Sequence, residues 1–363
     1  MRKNSILIPT YNRAQYIAGS IDSAINQIGI DNEIIVVDDG STDDTETVLK
    51  PYKDQITYIK TPNQGPALAR NTGMRLANCE YFSYLDSDDL YYPYKSLLQA
   101  TILDRHPEIG MVFSEFSAFD DNQFFDEYHL KKYHESAYQR GHLDYTTIYD
   151  RKIKLTELNN LPETLIEVLP NPENIDIYFG KVYQHYLFNT IVFTNSMMFR
   201  KSLVERIGLQ SVRFGMFHDL EFALRLCKMS EIAFVNIPTY QLRYHEDQIS
   251  TTNKPQGGKV AIKKQQDLLR VTKVHINASP GFLNQNKKAV HAQYAKLCRA
   301  IAVPLLTQQH KSSQKNTTYS RRARKYICTA WQYGRKDVLL LLVSYLPHTM
   351  RRVFFKLHSL FKK

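Results

Sequence analysis

The chain of 363 residues is 43% hydrophobic, 23% charged and 12% aromatic. That balance excludes a wholly disordered, collagenous or disulfide-stapled chain and allows a catalytic-sized core with one or two accessory parts. The net charge of +11 conceals an asymmetry: Lys254–Lys363 carries 23 Lys and Arg against only Asp267 and Asp337, or +21, which leaves −10 for the residues before it. A basic stretch of that size points to an anionic partner such as membrane headgroups, acidic glycans or nucleic acid.

Taken in chain order, the first 116 residues alternate strand and helix signals. Ser5–Pro9 is a short apolar run, too short for a signal peptide, and Ile17, Ile21, Ala24, Ile25 and Ile28 recur at helical spacing. Glu33–Asp38 reads as a buried strand, followed by Gly40-Ser41-Thr42 opening a helix with Asp43 and Asp44 in its first turn. Ile56–Lys60 is a third strand, Ala67–Ala77 a helix after Gly65-Pro66, and Tyr81–Leu85 a fourth strand that runs into Asp86-Ser87-Asp88-Asp89. A helix over Tyr94–His106 and a strand at Met111–Phe116 complete the series. This alternation predicts an α/β domain with a mainly parallel sheet and helices on both faces.

From Phe119 to Phe188 the pattern degrades into a polar, Tyr-rich stretch with weak helical periodicity at Leu155–Leu169, read as an insertion. A strand at Thr190–Phe199 and helices at Leu203–Ile207 and Asp219–Cys227 follow. The segment from Asn253 to Gly258 reads as a linker, and Lys259 onward as a basic, mainly helical region. In its tail, Met350, Val353, Phe354, Leu357 and Leu360 share one face flanked by Arg351, Arg352, Lys356 and Lys363, the pattern of a helix lying flat on an anionic bilayer. The expected division is therefore 1–118, 119–189, 190–253 and 254–363. The apolar run Val338–Val343 is far short of the roughly 20 residues of a membrane span. Cys79, Cys227, Cys298 and Cys328 form no CxxC pair, so neither a disulfide frame nor a zinc site is suggested. A cytoplasmic protein, peripheral on the inner face of the membrane, is the expectation.

In open parallel sheets ligands bind beyond the carboxyl ends of the strands, which selects three polar clusters: Thr10-Tyr11-Asn12-Arg13, Asp38-Asp39-Gly40-Ser41 and Asp86-Ser87-Asp88-Asp89. Carboxylates two apart on a turn can point into one cleft and suit a hard cation that also holds phosphate oxygens; a helix cap is the plain alternative. Gly65–Asn71 offers a glycine-opened helix with Arg70 in its second turn, suited to a diphosphate. There is no GxGxxG and no P-loop.

Read together and in order, SILIPTYNRAQYIAGSIDSAINQ, EIIVVDDGSTDDT, NQGPALARNTGMRLA, YFSYLDSDDL, TNSMMFRKSLVERIG, FHDLEFALRL and YQLRYHEDQIST resemble glycosyltransferase family 2. The resemblance implies a GT-A (Rossmann-like) fold and a nucleotide-sugar donor, most often UDP-linked. It implies that Pro9, Thr10, Tyr11 and Asn12 form the loop against the base, and that Asp39 contacts base or ribose. Arg70 would lie near the nucleotide, and Asp86, Ser87 and Asp88 would form the DXD motif with Asp88 facing Mn²⁺ or Mg²⁺. His245 would reach the metal or diphosphate, and Asp219 would be the general base. His218 stands where the family usually has Glu, and it is given no role in catalysis. The implied reaction is an inverting, metal-dependent transfer to a glycan or lipid-linked acceptor in surface polysaccharide assembly. Two rivals are a non-catalytic nucleotide- or glycan-binding relative and a peripheral membrane scaffold with a vestigial site. Nucleic acid is not an expected partner, since no module for it accompanies the charge.

Overall fold

In the computed structural model of the chain, residues 3–120, 123–134, 144–189, 191–246, 248, 258–307, 313–347, 349–351 and 353–355 are described, with backbone alone at 258–261 and 313–316. The chain divides into two compact units, Met1–Val212 with His218–Ile249 and Arg213–Phe217 with Ser250–Lys363. The expected linker from Asn253 to Gly257, the end of the closing segment at 249–252, and Arg352, Lys356, Leu357, Leu360 and Lys363 of the tail lie outside the described residues.

The first unit is α/β. Its elements run β1 (Asn4–Thr10), α1 (Ile17–Ile25), β2 (Asn32–Asp38), α2 (Thr45–Leu49), β3 (Thr57–Lys60), α3 (Pro66–Leu76), β4 (Tyr81–Tyr84), β5 (Leu90–Tyr91), α4 (Lys95–Arg105) and β6 (Ile109–Phe119). After these come β7 (Phe124–Asp126), β8 (Arg151–Lys154), β9 (Asp176–Gly180), β10 (Met198–Arg200), α5 (Lys201–Ile207), α6 (His218–Met229) and β11 (Glu231–Arg243), with further short helices between. The strands form one sheet in the order β3-β2-β1-β4-β10-β6-β11-β9-β8, with β5 paired to β11 and β7 to β6. Strands β3, β2, β1 and β4 are mutually parallel, β10 is antiparallel to both of its neighbours, and β11 runs parallel to β6.

Burial explains why these segments form strands. Ile6, Ile8 and Val36 are fully inaccessible, as strands covered on both faces require, and each such side chain contributes about 1.5–3 kcal/mol. The chain proceeds from β1 to β2 and β3 on one side, then returns to place β4 on the other side of β1. The crevice outside the carboxyl ends of β1 and β4 is thus the switch point at which ligands bind in open α/β sheets.

Two expectations are corrected. Thr190–Phe199 is not one strand: Thr190 is outside the described residues, Thr194–Ser196 is a 3₁₀ turn, and only Met198–Arg200 joins the sheet. The polar side chains there take the backbone out of the ladder. Asn195 donates to Asp89 at 2.6 Å, while the Ser196 carbonyl accepts from Lys95 Nζ (3.2 Å) and Gln99 Nε2 (2.7 Å). The weak helical signal at Leu155–Leu169 resolves into a 3₁₀ turn at Leu155–Glu157 and a helix at Glu163–Val168, divided by left-handed Asn160 and by Pro162. The Tyr-rich stretch also supplies β8 and β9, and its Leu155, Leu165, Ile177 and Phe179 share a core with Leu98, Ile102 and Leu103 of α4.

The second unit is helical in its described part: α7 (Gly258–Asn277), α8 (Pro280–Gln285), α9 (Lys287–Thr307), α10 (Ser313–Gln332) and α11 (Val338–Val343). Its buried side chains include Leu297, Ile301 and Leu305 of α9 and Ala323 and Ile327 of α10. Among the described residues no helix is long and apolar enough to cross a membrane.

Candidate active site

The loops after β1 and β2 are knitted to each other. Asn12 takes a left-handed φ of 51°, a conformation its short amide tolerates, and its Oδ1 accepts from Thr42 N at 2.8 Å. The Asn12 N–H donates to Ser41 Oγ (2.9 Å), and Ala14 N donates to Asp43 (3.0 Å). Gly40 is required: its φ is +81°, and a Cβ there would stand 2.9 Å from Asn63 N.

Asp39 is buried, and its two oxygens accept the N–H groups of Gln64 (2.8 Å) and Gly65 (2.7 Å), pinning the entry to α3. Asp38 performs a parallel task, accepting from Ser41 N at 2.7 Å and Tyr58 OH at 2.9 Å. Pro9 and Thr10 end β1, with Thr10 Oγ1 buried and lacking any partner among the described residues, whereas Tyr11 is exposed.

The Asp86-Ser87-Asp88-Asp89 turn divides by residue. Asp89 is interior, accepting from Asn195 Nδ2 and from Arg243 N (2.9 Å); burial and then the Asp88 charge push its carboxyl well above the usual range. Ser87 is buried. Asp88 Oδ2 accepts from both His245 Nε2 (3.0 Å) and Arg13 Nε (3.1 Å). Burial pushes this carboxyl up, but the His245 hydrogen bond and the Arg13 charge prevail and hold it below the ordinary carboxylate range. Arg243 closes the cluster, donating to the Asp88 carbonyl at 3.0 Å and lying over the rings of Phe119 (4.4 Å) and Tyr16 (5.1 Å).

A second cationic centre links Asp86 to α6. Arg70 is buried, donates Nη2 to Asp86 Oδ1 at 2.7 Å and Nη1 to His218 Nε2 at 3.0 Å, and lies over the Tyr84 ring. A guanidinium only donates, so His218 Nε2 carries the lone pair and the imidazole is neutral in this arrangement. Burial opposes the Arg70 charge, but Asp86 and Asp219 more than offset it. Asp219 opens α6 and accepts from Thr194 Oγ1 at 2.9 Å and from Leu220 N at 2.7 Å.

The residues singled out from the sequence therefore fall into three linked groups: the β1–β2 loop pair, Asp88 with His245, and Asp86 with Arg70 beside His218. Asp219 joins the third through its field on Arg70. Sequence reasoning placed Arg13 in the cluster after β1 without giving it a role, and it missed Arg243, Thr194 and the contact of His218. Arg13 and Arg243 do sit one and two residues from Asn12 and His245, a proximity that marks them for attention.

A divalent ion is tested against these groups directly. Asp88 Oδ1 takes no hydrogen bond among the described residues, and His245 Nδ1 is buried without a partner. Among the described residues no three His, Cys, Asp or Glu side chains form a metal cluster. Asp88 Oδ1 therefore fits Mn²⁺ or Mg²⁺ only as ions that take one or two protein ligands and complete their shell with diphosphate oxygens and water, and His245, bound to Asp88 through Nε2, would join such an ion only once that hydrogen bond opens.

The family model described as "Glycosyl transferase family 2" matches residues 5–206. An uncharacterized glycosyltransferase of Rickettsia typhi is 29% identical over 249 residues, 68% of this chain and 66% of that relative, so the chain spans slightly under two thirds of its length. The Staphylococcus aureus poly(ribitol-phosphate) beta-N-acetylglucosaminyltransferase TarP is 37% identical over 98 residues, 25% of this chain and 30% of that one. Among solved structures, S. aureus TarS 1–349 in complex with UDP-GlcNAc is similar, with 15% identity, 92% of each chain covered and a TM-score of 0.49. Since the family model takes in more than half of the residues, the chain belongs to glycosyl transferase family 2, with its GT-A fold.

Proposed function

We propose that the chain is an inverting, metal-dependent glycosyltransferase that moves a sugar from a UDP-linked donor to a glycan or lipid-linked acceptor in surface polysaccharide assembly. The observation that carries the reading is the Asp86–Arg70–His218 chain, which sets the carboxylate of the donor turn and the first turn of α6 beside one buried cation. Thr10 Oγ1, Arg70 Nε and His245 Nδ1 are all buried without partners among the described residues. All three belong to candidate residues, and a bound polar ligand would satisfy them.

In this reading Asp219 takes the proton of the acceptor hydroxyl as its oxygen attacks the anomeric carbon, and the donor diphosphate leaves from the opposite face. An aspartate is a weak base for an alcohol, but the transfer can come late, once C–O bond formation has acidified the hydroxyl. The Thr194 hydroxyl holds Oδ2 and the Leu220 N–H holds Oδ1, which fixes the carboxylate while each oxygen keeps a second lone pair for the acceptor hydroxyl. Arg70 meets negative charge that grows on the leaving diphosphate, in a buried setting where such a cation acts most strongly. An ion held by Asp88 and His245 would supply further electrophilic stabilisation of the same leaving group.

The second unit supports a peripheral site on the cytoplasmic face of an anionic membrane. Leu339, Leu342 and Tyr345 are 57%, 60% and 68% exposed within a strongly basic region, a combination suited to acidic headgroups. The test of the catalytic reading is thermal shift against UDP, GDP and TDP with and without Mn²⁺. The expected result is a metal-dependent rise with UDP. No rise with any nucleotide in a folded sample would overturn it.

A further inference from the structure

The second unit contains a cavity of about 300 Å³ at the junction of its helices. Lys273, Ile276 and Asn277 reach it from the last turns of α7, His291 and Tyr294 from the first turns of α9, and Tyr333 from just beyond α10. Three rings build its wall. Tyr333 lies 4.9 Å from Tyr294 at an interplanar angle of 50° and 5.2 Å from His291 at 64°. The rings are therefore inclined to one another around the space and do not close it by stacking. Ile276 supplies an apolar floor, and Asn277 an amide that can both donate and accept.

Lys273 gives the cavity its sign. The stretch from Lys254 to Lys363 has only two acids, Asp267 and Asp337. Asp267 is held by Arg270 at 3.1 Å, and Asp337 by Arg299 at 2.6 Å and Arg335 at 3.2 Å. Both acids are thus committed to arginines, and among the described residues of this unit no Asp or Glu carboxylate is left to pair with the ammonium at the cavity. Aromatic faces match the C–H faces of sugar rings, the amide matches hydroxyls, and the free ammonium matches an acid group. A cavity of this volume lies at the small end of ligand pockets, so its occupant is one residue of a chain with its charged substituent.

We propose that this cavity is a holding subsite for one saccharide or polyol residue of an anionic acceptor polymer, bearing a carboxylate or a phosphate. The proposal rests on the reading of the chain as a transferase with a glycan acceptor, and it names the class of that acceptor. The surrounding excess of positive charge would concentrate such a polymer and hold it between successive transfers.

The test is calorimetric titration of the full chain with three probes: a chondroitin hexasaccharide for the carboxylate, a ribitol-phosphate oligomer for the phosphate, and a chitohexaose as neutral control. UDP-dependent thermal shift is measured on the same samples. One or both anionic probes should bind and the neutral one should not, and which of them binds identifies the acid group. Tyr333→Ala and Lys273→Gln should each weaken that binding about tenfold, with the UDP shift unchanged. Tyr333→Phe, which keeps the ring, should bind as the parent chain does. Equal binding by parent and both variants, or by the neutral probe, would overturn the subsite. So would the absence of anionic binding where UDP still binds, and failure of UDP as well would overturn the catalytic reading with it.

Discussion

Arg13 Nε lies 3.1 Å from Asp88 Oδ2, and both side chains are only 15% exposed. The ion pair joins the loop after β1 to the turn after β4 across the switch point, and it gives Asp88 a resident counter-charge before any donor arrives. A cation entering at Asp88 Oδ1 therefore meets Arg13 as a competing positive charge on the other oxygen of the same carboxylate. Asp88→Ala should abolish metal-dependent donor binding, whereas Arg13→Gln should retain it and raise the affinity for Mn²⁺ alone several-fold. Calorimetry of the two variants with Mn²⁺, with and without UDP, measures both effects. Unchanged affinity in Asp88→Ala would remove the metal role from this residue.

Asp219 and Thr194 make a second pair with separable effects. Asp219→Asn keeps the shape and the hydrogen bonding to Leu220 imperfectly but loses the base. It should lower transfer by about 10²–10⁴-fold while leaving donor binding intact. Thr194→Ala frees the carboxylate to rotate and should have a smaller effect in the same direction. Single-turnover transfer beside donor titration separates the two. Full residual transfer in Asp219→Asn would assign the base elsewhere.

How far the sequence foretold this site depends on how local each feature is. Glu33–Asp38 was legible as a strand because parallel strands covered on both faces read as continuous apolar runs. The loops after β1, β2 and β4 followed from it, since strand ends fix where ligands bind. The resemblance put His245 beside Asp88, but the two arginine partners of Asp88 were not legible as such. Arg13 lies 75 residues away and Arg243 155, and no periodicity relates residues brought together by tertiary packing. Strand β8 (Arg151–Lys154) escaped for another reason: it is a short, charged outer strand, the composition that protects sheet edges. His218 looked like a mere substitution until its ring was found against Arg70.

That contact yields a prediction about the departure from the family pattern. Arg70 needs an acceptor at His218, and neutral imidazole supplies one. His218→Gln offers an amide oxygen at similar reach and should retain donor affinity. His218→Lys puts a second cation against a buried guanidinium and should weaken donor binding at least tenfold, because Arg70 must then leave Asp86. UDP titration of both variants decides the point. Equal affinities would mean that His218 does not hold Arg70 in its working position.

His134 provides a pH-dependent stability that does not involve the site. It is buried beside the rings of Tyr133 and Phe193, and its Nε2 has no partner among the described residues. Burial, and then the charge of His129, push its imidazole down from 6.5 to about 3. The unfolded chain binds this proton near pH 6.5, while the folded chain resists it until near pH 3. The stabilising contribution is therefore complete above pH 6.5 and is lost as pH falls toward 3, at up to about 1.4 kcal/mol per pH unit. His134→Phe, which preserves an aromatic ring there, should show a shallower fall in melting temperature between pH 6.5 and 4.5. A slope equal to that of the parent chain would show that His134 is not the group responsible.

In the proposed membrane-bound reading, the exposed apolar face of α11 would place the contact upstream of the tail emphasised by the sequence pattern. Val338, Leu339, Leu342 and Tyr345 are each more than half exposed, and they recur at helical spacing on and just after α11. Arg324 lies over the Tyr345 ring at 4.5 Å, which places a cation beside this face. Acidic substitutions here would lose buried hydrocarbon and add repulsion from anionic headgroups, two effects of the same sign. Leu339→Glu with Leu342→Glu should release the chain from phosphatidylglycerol vesicles in a flotation assay. Deleting Pro347–Lys363 should weaken flotation less, since the upstream face remains. If the double variant floats like the parent chain and the deletion does not, the anchor is the tail and the α11 face is not a membrane contact.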